Sequence, residues 1–367
     1  MDTCDVLIVG GGPAGSSCAW KLCAAGLDVV VMDRAVFPRD KVCAGWITPP
    51  VVDALSFDCG EYQRGGRTLQ AITGFRVGVI DGERDVEIDY HRTVSFGIRR
   101  CEFDHYLLER SRARVRFGTK VESLRRDGAR WIVNDAVTAP VVVGAGGHFC
   151  PVARSFNPAR ERSALVVAQE AEFPLDDAAD EAWRVAPEMP SLYFCADAKG
   201  YGWCFRKGRY LNVGLGRLDG GSLMSARARF AAFLGRRHDA GAGPPVAWRG
   251  HAYLVAEPPQ RRVVDTGVLL AGDAAGLAYP ESGEGIRPAI ESGLLAASTI
   301  LAAGGCYTRE RLAPYERRLR GRFGAGSRLS RAIPPGLAAP LLPRLLAVPW
   351  FVRHVVLNRW FLHARHA

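Results

Sequence analysis

The fold is decided by residues 5–33, which read DVLIVGGGPAGSSCAWKLCAAGLDVVVMD. The apolar run at 5–9 predicts a strand that is buried on both faces of a parallel sheet. Three glycines with G-x-G-x-x-G spacing follow it, residues 16–25 then predict a helix, and residues 28–32 predict a second buried strand. Strand, glycine turn, helix and strand in this order are typical of a dinucleotide-binding α/β sheet.

The glycines and the acid of this unit each have a physical reason. Gly10 permits the tight turn, Gly12 lets the backbone approach a pyrophosphate, and Gly15 allows helix and strand to pack closely. The helix N-terminus offers free N–H groups to the phosphates. Asp33 would accept hydrogen bonds from ribose hydroxyls. Because a carboxylate repels a 2′-phosphate, the site suits FAD or NAD better than NADP.

A second glycine-rich turn lies far downstream, in Leu269-Leu-Ala-Gly-Asp-Ala-Ala-Gly276. There a predicted strand runs into Gly272-Asp273, and Gly283-Glu-Gly-Ile286 opens a helix predicted over 285–303. An acid after a strand can hold a ribityl or ribose hydroxyl, and the start of the helix directs N–H groups at a pyrophosphate or a flavin. The two turns therefore predict one dinucleotide site built from distant segments.

Between the two turns the pattern changes to alternating strands, with Asp81-Gly82 as a hairpin turn. Such an interruption of a nucleotide-binding sheet predicts an inserted, mostly antiparallel second domain. We assign the first domain to 1–66, 99–158 and 259–325, the second to 67–98 and 159–258, and a basic helical segment to 326–367.

Composition and charge restrict the class of protein. The chain has 367 residues, 48% of them hydrophobic and 23% charged, which excludes a mainly disordered or fibrous protein. The net charge of +10 lies in the tail, because from Arg309 onward the arginines face only two acids, Glu310 and Glu316. This argues against nucleic-acid binding and favours a terminal segment that meets a membrane or an acidic partner; solvated arginines on exposed helices are the alternative.

Cysteine spacing and the N-terminus favour a cytoplasmic protein. The ten cysteines show no repeated spacing and are predicted to be reduced. Asp2 and Asp5 place negative charge where a signal peptide needs positive charge. The most apolar run, 337–362, is broken by prolines and arginines, so no spanning helix is predicted. The histidines lack metal-ligand spacing, and no metal site is predicted.

The motifs together resemble those of the FAD-dependent monooxygenase and halogenase superfamily. They are Gly10-x-Gly12-x-x-Gly15, Asp33, Arg100-x-x-Phe103-Asp104, Gly272-Asp273-x-x-Gly276, Pro280 and Gly283-Glu284-Gly285. Within the superfamily the chain most resembles the geranylgeranyl reductase family, through Lys41-x-Cys43-x-Gly45 and Tyr201-x-Trp203-x-Phe205. The similarity covers most of the chain.

This resemblance implies an α/β fold of the glutathione-reductase type: a Rossmann-like FAD-binding domain, an inserted antiparallel substrate domain, C-terminal helices, and a flavin ring between the domains. FAD would be held by Gly10, Gly12, Pro13, Ala14, Gly15, Asp33, Arg34, Arg100, Gly272, Asp273, Gly283, Gly285 and Ile286. The substrate cavity would be lined by Gly45, Trp46, Tyr201, Trp203 and Phe205. Cys43 is the candidate proton donor, with an ordinary loop cysteine as the alternative.

Two departures from the family pattern bear on the reaction. Gly144-Ala-Gly-Gly147 stands where the superfamily has G-A-D-G, which disfavours direct NAD(P)H binding of the monooxygenase kind. A separate reductase, a quinone or a ferredoxin would then supply the electrons, with NAD(P)H as the alternative donor. Arg206 replaces the proline of the family motif, which predicts a charge near the cavity mouth and an acidic substrate such as a prenyl phosphate. No two tryptophans are two positions apart, which argues against W-x-W halogenases.

We therefore predict a cytoplasmic FAD-dependent oxidoreductase that reduces C=C bonds of an isoprenoid or lipid-like substrate. The enzymatic alternatives are an oxygen-dependent flavin monooxygenase acting on an aromatic, carrier-bound or protein-bound substrate, and a halogenase-like tailoring enzyme. A flavin-dependent binding factor without turnover is the alternative from another class. The aromatic and arginine-rich stretch 350–362 predicts a helix that caps the cavity, lies peripherally on a membrane, or binds a protein.

Overall fold

The computed structural model describes residues 1–157, 165–218, 222–238, 243–254, 261–323 and 335–364. The chain divides into two compact units. The first unit comprises Met1–Asp40, Cys101–Ala164 and Tyr253–Gly326, and the second comprises Lys41–Arg100, Leu165–Ala252 and Ser327–Ala367. The predicted domain boundaries near residues 158, 259 and 325 fall outside the described residues.

Both units contain helices and strands. The strands are β1 (Asp2–Thr3), β2 (Val6–Val9), β3 (Val29–Met32), β4 (Trp46–Ile47), β5 (Leu69–Ile72), β6 (Gly74–Val79), β7 (Val86–Asp89), β8 (Ser95–Ile98), β9 (Arg114–Arg116), β10 (Leu124–Asp127), β11 (Arg130–Val133), β12 (Val137–Ala139), β13 (Val141–Gly144), β14 (Leu165–Pro174), β15 (Ser191–Phe194), β16 (Gly200–Lys207), β17 (Tyr210–Arg217), β18 (Arg249–Leu254), β19 (Val264–Asp265) and β20 (Val268–Leu270). The helices are α1 (Pro13–Ala24), α2 (Pro49–Ala54), α3 (Cys59–Arg64), α4 (Arg100–Ser111), α5 (Pro151–Phe156), α6 (Asp177–Trp183), α7 (Leu223–His238), α8 (Ile286–Ala303), α9 (Arg309–Phe323), α10 (Pro335–Leu346) and α11 (Pro349–Phe351), which continues as a π-helix over Val352–Phe361.

The first unit is built on a six-stranded sheet in the order β19-β20-β13-β2-β3-β9. Strand β2 lies between β3 and β13 and pairs with both in parallel. Every residue of these three strands is buried, because helices cover both faces of such a sheet. The strand, helix and strand predicted from residues 5–33 are confirmed as β2, α1 and β3.

Helices α1 and α8 pack closely in this unit. The contact depends on Gly293, because a Cβ at that position would overlap the carbonyl oxygen of Ala14. By length and composition, α8 is a candidate membrane span, and 67% of it is buried inside the structure. A second candidate is the pair Pro340–Leu346 and Pro349–Phe361, which bends by 92°.

The second unit is built on a seven-stranded sheet in the order β18-β14-β17-β16-β15-β6-β7. Four of its pairs are antiparallel, namely β14 with β17, β17 with β16, β16 with β15 and β6 with β7, and β15 with β6 is parallel, so the predicted, mostly antiparallel insertion is confirmed. The predicted hairpin turn joins β6 to β7, and Asp81 adopts a left-handed φ of 64° there. One face of the sheet packs its apolar side chains against Phe230, Phe233 and Leu234 of α7.

Residues 41–66 belong to the second unit, whereas the sequence assigned them to the FAD-binding domain. The physical reason is strand pairing: β4 joins a three-stranded sheet in the order β4-β8-β5. Trp46 lies opposite Gly97 and Ile47 opposite Phe96 in that sheet. The pairing ties the chain after Asp40 to the second unit.

Candidate functional site

The first glycine turn has the geometry that a dinucleotide cradle needs. Gly10 follows β2 with a φ of +111°, and a Cβ there would overlap the carbonyl oxygen of Ala145. A Cβ at Gly15 would overlap the carbonyl oxygen of Gly10. Gly12 caps the N-terminus of α1, and Pro13 occupies its first turn, so the free N–H groups of the helix face outward from the turn. Backbone can approach a phosphate here because side chains are absent.

Asp33 is fixed at the end of β3 beside this turn. Its Oδ2 accepts a hydrogen bond from the N–H of Gly11 at 2.7 Å, and its Oδ1 accepts one from the N–H of Ala35 at 2.8 Å. A carboxylate with two backbone donors is held rigidly and keeps acceptor capacity for a hydroxyl. Arg34, the next residue, is exposed.

The second glycine turn meets the first through α1 and α8. Gly272 has a φ of +61°, and its N–H donates to Ser292 Oγ at 2.9 Å. A Cβ at Gly272 would lie only 3.2 Å from the Cβ of Ala14. A Cβ at Gly285, the N-cap of α8, would lie 3.2 Å from Asp273 Oδ1. The two motifs, distant in sequence, therefore form one surface in the first unit.

Two further predicted FAD residues, Gly283 and Ile286, lie in the first unit, whereas Arg100 lies in the second. Gly283 has a φ of +66°, and a Cβ there would overlap the hydroxyl of Tyr253. Ile286 begins α8 and is buried. Arg100 is the first residue of α4 and is 8% exposed. A cradle that side chains would fill, with a fixed carboxylate at its side, fits a bound dinucleotide.

Cys43 lies in the second unit, where side chains from two strands fix its backbone. Its N–H donates to Glu170 Oε2 at 2.7 Å, and its carbonyl oxygen accepts from Asn212 Nδ2 at 3.4 Å. The N–H of Gly45 lies 3.4 Å from Cys43 Sγ and donates to it. Both polar groups of the Cys43 backbone are thus held, and the thiol has a donor of its own.

Gly45 is the other defined member of the Lys41-x-Cys43-x-Gly45 motif. It has a φ of +68°, and a Cβ there would overlap the carbonyl oxygen of Ile98. The same Cβ would lie 2.5 Å from Lys207 Nζ. Only glycine permits this approach, so the motif is explained by backbone geometry.

Five side chains join in a mostly buried polar cluster next to the Cys43 loop. Glu172 accepts from Lys207 Nζ at 2.9 Å, from Arg99 Nε at 3.1 Å and from Asn212 Nδ2 at 3.1 Å. Asn212 Nδ2 also lies 3.3 Å from Glu170 Oε2. Lys207 is fully buried, and its ammonium would be costly without Glu172.

The two carboxyl groups of the cluster have opposite pKa shifts. Burial raises the pKa of Glu170 to about 7, against the opposing charge of Lys207. Burial also acts to raise the pKa of Glu172, but the charge and hydrogen bonds of Lys207, with those of Asn212 and Arg99, lower it to about 2. At neutral pH the cluster therefore holds a fixed carboxylate beside one that exchanges its proton.

The predicted cavity residues lie together on the same face of the seven-stranded sheet. Trp203 Nε1 donates to Asn212 Oδ1 at 2.7 Å, and the indole lies across Gly214, where a Cβ would overlap the ring. The ring of Trp46 lies 5.6 Å from that of Phe205, centre to centre. Tyr201 is 6.1 Å from Trp203 by the same measure. These rings form an aromatic wall beside the Cys43 loop.

The C-terminal segment packs onto this aromatic wall. Phe361 stacks on Trp46 with a centroid distance of 5.5 Å and an interplanar angle of 13°. It also meets Tyr201 edge-on at 5.2 Å. The inner face of the π-helix is buried, including Val356 and Leu357. The segment thus covers the predicted cavity residues from within the second unit.

The expectation for Arg206 is wrong, because strand alternation sends its side chain away from the aromatic wall. Trp203 and Phe205 belong to the wall on one face of β16. Cys204 lies in the core on the other face, next to α7, and Arg206 points to that same face. The cation on the aromatic side is Lys207. The inference of an acidic substrate from Arg206 therefore has no basis.

A polar cavity of about 550 Å³ lies elsewhere in the second unit. Its lining is charged and consists of Arg76, Asp85, Glu87, Arg184, Arg237 and His238. Arg76 is paired with Glu87 at 2.7 Å, and Arg237 is paired with Asp85. Because its lining is charged, the cavity does not suit a lipid-like molecule.

The sequence is similar to known proteins over most of its length. The family model described as FAD binding domain matches residues 3–322. The chain belongs to the FAD-binding domain family. It is an FAD-dependent oxidoreductase, as the glycine motifs and Asp33 predicted, and FAD is its cofactor. The glycines of both turns and Asp33 lie in the first unit.

Relatives of this FAD-binding domain protein include named reductases. A menaquinone reductase of Mycobacterium tuberculosis is 29% identical over 320 residues, 82% of this chain and 77% of that protein. A geranylgeranyl diphosphate reductase of Rhodobacter capsulatus is 30% identical over 315 residues, 81% of this chain and 75% of that protein. The resemblance to the geranylgeranyl reductase family is confirmed.

Solved structures agree on the fold. A geranylgeranyl bacteriochlorophyll reductase-like protein of Thermoplasma acidophilum matches with a TM-score of 0.77 at 21% identity, covering 95% of this chain and 92% of that one. An FAD-dependent monooxygenase and a halogenase match with TM-scores of 0.68 and 0.71. The three structures are 21%, 22% and 19% identical to this chain in sequence, so the likeness shows the shared fold alone.

Sequence reasoning missed Glu170, Glu172, Lys207 and Asn212. The available signal was period-two polarity: Glu170 and Glu172 alternate with apolar residues in β14, and Asn212 interrupts the apolar β17. Alternation of this kind is ordinary in a half-exposed sheet, so it does not by itself predict a buried cluster.

Proposed function

We propose that the protein reduces carbon–carbon double bonds of an isoprenoid or other lipid-like substrate. The observation that carries the proposal is the aromatic wall beside the Cys43 loop, an apolar surface next to a held thiol. The names of the relatives, a menaquinone reductase and a geranylgeranyl diphosphate reductase, support the same substrate class. Bound FAD, once reduced, supplies a hydride.

Within this proposal the chain's own residues bind and orient the substrate and move a proton. Trp46 and Tyr201, which are half-buried, pack against the hydrocarbon, which burial of apolar surface favours, and the fully buried Phe205 packs against Trp46. Cys43 donates the thiol proton to the carbon that does not receive the hydride, and the resulting thiolate recovers a proton from solvent. Gly144-Ala-Gly-Gly147 in place of G-A-D-G supports a separate reductase over NAD(P)H as the electron donor.

We expect the reduced flavin to be reoxidised by a polyprenyl substrate in the absence of oxygen. The test photoreduces the purified protein anaerobically, adds geranylgeranyl diphosphate or a menaquinone, and follows the flavin absorbance and the product mass. A product heavier by two hydrogens supports the proposal. Reoxidation by oxygen alone, with an oxygenated product from an aromatic substrate, would instead identify a monooxygenase.

Two cysteine variants extend this test: one changes the candidate proton donor, and the other is its matched control. Cys43→Ser should slow substrate-dependent reoxidation about 100-fold, the usual worth of one general acid. Cys306→Ser removes an exposed thiol and should leave the rate unchanged. Equal rates in both variants would show that Cys43 is an ordinary loop cysteine.

We further propose that the C-terminal segment contacts the surface of an anionic membrane. Its outward face carries Leu341, Val348 and Trp350, which are 43%, 45% and 64% exposed. No acidic residue follows Glu316, whereas arginines recur throughout the segment. An apolar stripe with arginines and an interfacial tryptophan suits anionic lipid headgroups.

Replacing Trp350 is expected to weaken liposome binding about tenfold, because its indole is the largest exposed apolar group of the segment. The measurement is cosedimentation of Trp350→Ser with vesicles containing phosphatidylglycerol, compared with phosphatidylcholine alone. The control is Leu218→Ser, which removes an apolar side chain that is 48% exposed and lies outside the segment. This variant should bind like the wild type. Failure of the wild type to bind anionic vesicles would refute membrane contact.

A further inference from the structure

The side chains that form hydrogen bonds with the Cys43 backbone come from two strands that contain none of the sequence motifs described above. Glu170 and Asn212 lie on β14 and β17, which pair in antiparallel register with Glu170 opposite Gly214 and Glu172 opposite Asn212. Because side chains at positions two apart share a face, Glu170 and Glu172 point to the same side of β14. Both side chains therefore reach the cluster, but only Glu170 contacts the Cys43 backbone.

We propose that Glu170 is a positioning residue, which fixes the backbone of Cys43 and thereby places its thiol. The contact from Cys43 N–H to Glu170 Oε2 is 2.7 Å, at the short end of the range for N–H···O hydrogen bonds. Glu170 is 7% exposed, so water does not compete for this acceptor. This inference rests on the proposed role of Cys43, which is the group that meets substrate.

The clamp is completed on the opposite side of Cys43. Asn212 donates to the Cys43 carbonyl oxygen and is itself oriented by Trp203, whose Nε1 donates to Asn212 Oδ1. The amide of Asn212 thus forms hydrogen bonds with Trp203 of the aromatic wall, with both carboxyl groups of the cluster and with the Cys43 backbone. A shift of the Glu170 carboxyl group would release one end of the Cys43 backbone while Asn212 retained the other.

The charge environment of Glu170 explains why a neutral form can still act as the clamp. Lys207 and Glu172 are the charged groups that act on it, one favouring and one opposing its ionisation. Burial brings the pKa of Glu170 to about 7, so protonated and ionised forms coexist near neutrality. A proton on Oε1 leaves Oε2 free to accept the N–H of Cys43. Glutamine, which is neutral and has the same reach, should therefore replace it.

The test measures the reactivity of the Cys43 thiol directly, without relying on catalysis. Wild type, Glu170→Ala, Glu170→Gln and Gln169→Ala are alkylated with iodoacetamide, and modification is quantified peptide by peptide by mass spectrometry. Cys306, which is exposed, is the internal reference for reagent and pH. Gln169→Ala is the matched control, because Gln169 is next to Glu170 on β14 but points to the other face of the sheet, where it accepts a hydrogen bond from Arg227.

We expect Glu170→Ala to change the alkylation rate of Cys43, relative to Cys306, by about fivefold or more, the effect of losing one strong hydrogen bond. Glu170→Gln and Gln169→Ala should stay within about twofold of the wild type. If Glu170→Ala does not fold, Glu170→Asp is measured in its place, since it keeps the charge and shortens the reach by one methylene. An unchanged rate in the folded variant, or an equal change in Gln169→Ala, would overturn the proposal.

Turnover adds a second readout. In the anaerobic reoxidation assay, Glu170→Ala should lower kcat about tenfold with KM within about twofold, because the aromatic wall is intact while the thiol is misplaced. Recovery of kcat in Glu170→Gln distinguishes positioning from general loss of structure. If no substrate reoxidises the flavin in any variant, the proposed reductase activity fails, while the alkylation result still judges the role of Glu170.

Discussion

Gly15→Ala protein is expected to lose its FAD, with a dissociation constant about 100-fold above that of the wild type, or about 2.7 kcal/mol. The reason is steric: the new methyl group would overlap the carbonyl oxygen of Gly10, which is backbone and cannot swing aside. Relief requires α1 to move away from β2, which opens the turn that presents N–H groups to the pyrophosphate. The measurement is a fluorescence titration of apoprotein with FAD.

Gly321→Ala is the matched control for this substitution. Gly321 lies in α9, and a Cβ there meets nothing within 4 Å. Alanine in a helix stabilises by up to about 1 kcal/mol relative to glycine, so this variant should fold and bind FAD normally. Unaltered FAD affinity in Gly15→Ala would show that the turn does not form the dinucleotide site.

The FAD-binding half of the molecule could be predicted from sequence because its signals are local. The strand periodicity, the three glycines and Asp33 all fall within residues 5–33, and the hydrogen bond that ties Asp33 to the glycine turn spans only 22 positions. The second turn was also recognisable as a strand followed by Gly272-Asp273. Its approach to the first turn follows from the parallel order of β2, β13 and β20, which the strand pattern permits but does not specify.

The environment of Cys43 could not be predicted, because the side-chain contacts that fix its backbone are long-range. Glu170 is 127 positions away and Asn212 is 169 positions away. Which strand face they share depends on the register of β14 with β17, and a shift by one residue would reverse it. The prediction for Arg206 failed for a related reason. Arg206 follows Phe205 in β16, so its side chain points to the opposite face of the sheet, whereas the comparison with the family motif considered only its position in the chain.

Lys207→Met is expected to lower the free energy of unfolding by about 3 kcal/mol, the usual cost of leaving one member of a buried ion pair unpaired. Lys207 is fully buried, its Nζ lies 2.9 Å from Glu172 Oε2, and methionine has a similar length but no charge. Arg99 at 3.1 Å is more exposed and neutralises Glu172 only in part. The measurement is urea unfolding at pH 7, followed by tryptophan fluorescence.

The pH dependence of this loss follows from the direction of the Glu172 shift. Its pKa is about 2 in the folded protein and 4.5 in an ordinary environment, so its ionised form stabilises the folded state. The stabilisation is complete above pH 4.5 and is lost as the pH falls from there towards 2. The difference in stability between wild type and Lys207→Met should therefore narrow as the pH is lowered through that window.

The double variant Lys207→Met/Glu172→Gln separates loss of the pair from loss of packing. Replacing both charges removes the unpaired carboxylate, so most of the stability should return, since neutral replacement of a buried pair is often tolerated. Arg125→Met is the control: Arg125 pairs with Asp135 at the similar distance of 2.8 Å, but both side chains are more than half exposed. Such a pair contributes about 0.5 kcal/mol. Equal losses in the single and double variants would mean that Lys207 acts through its packed aliphatic chain, and that the polar cluster next to the Cys43 loop is not held together by this ion pair.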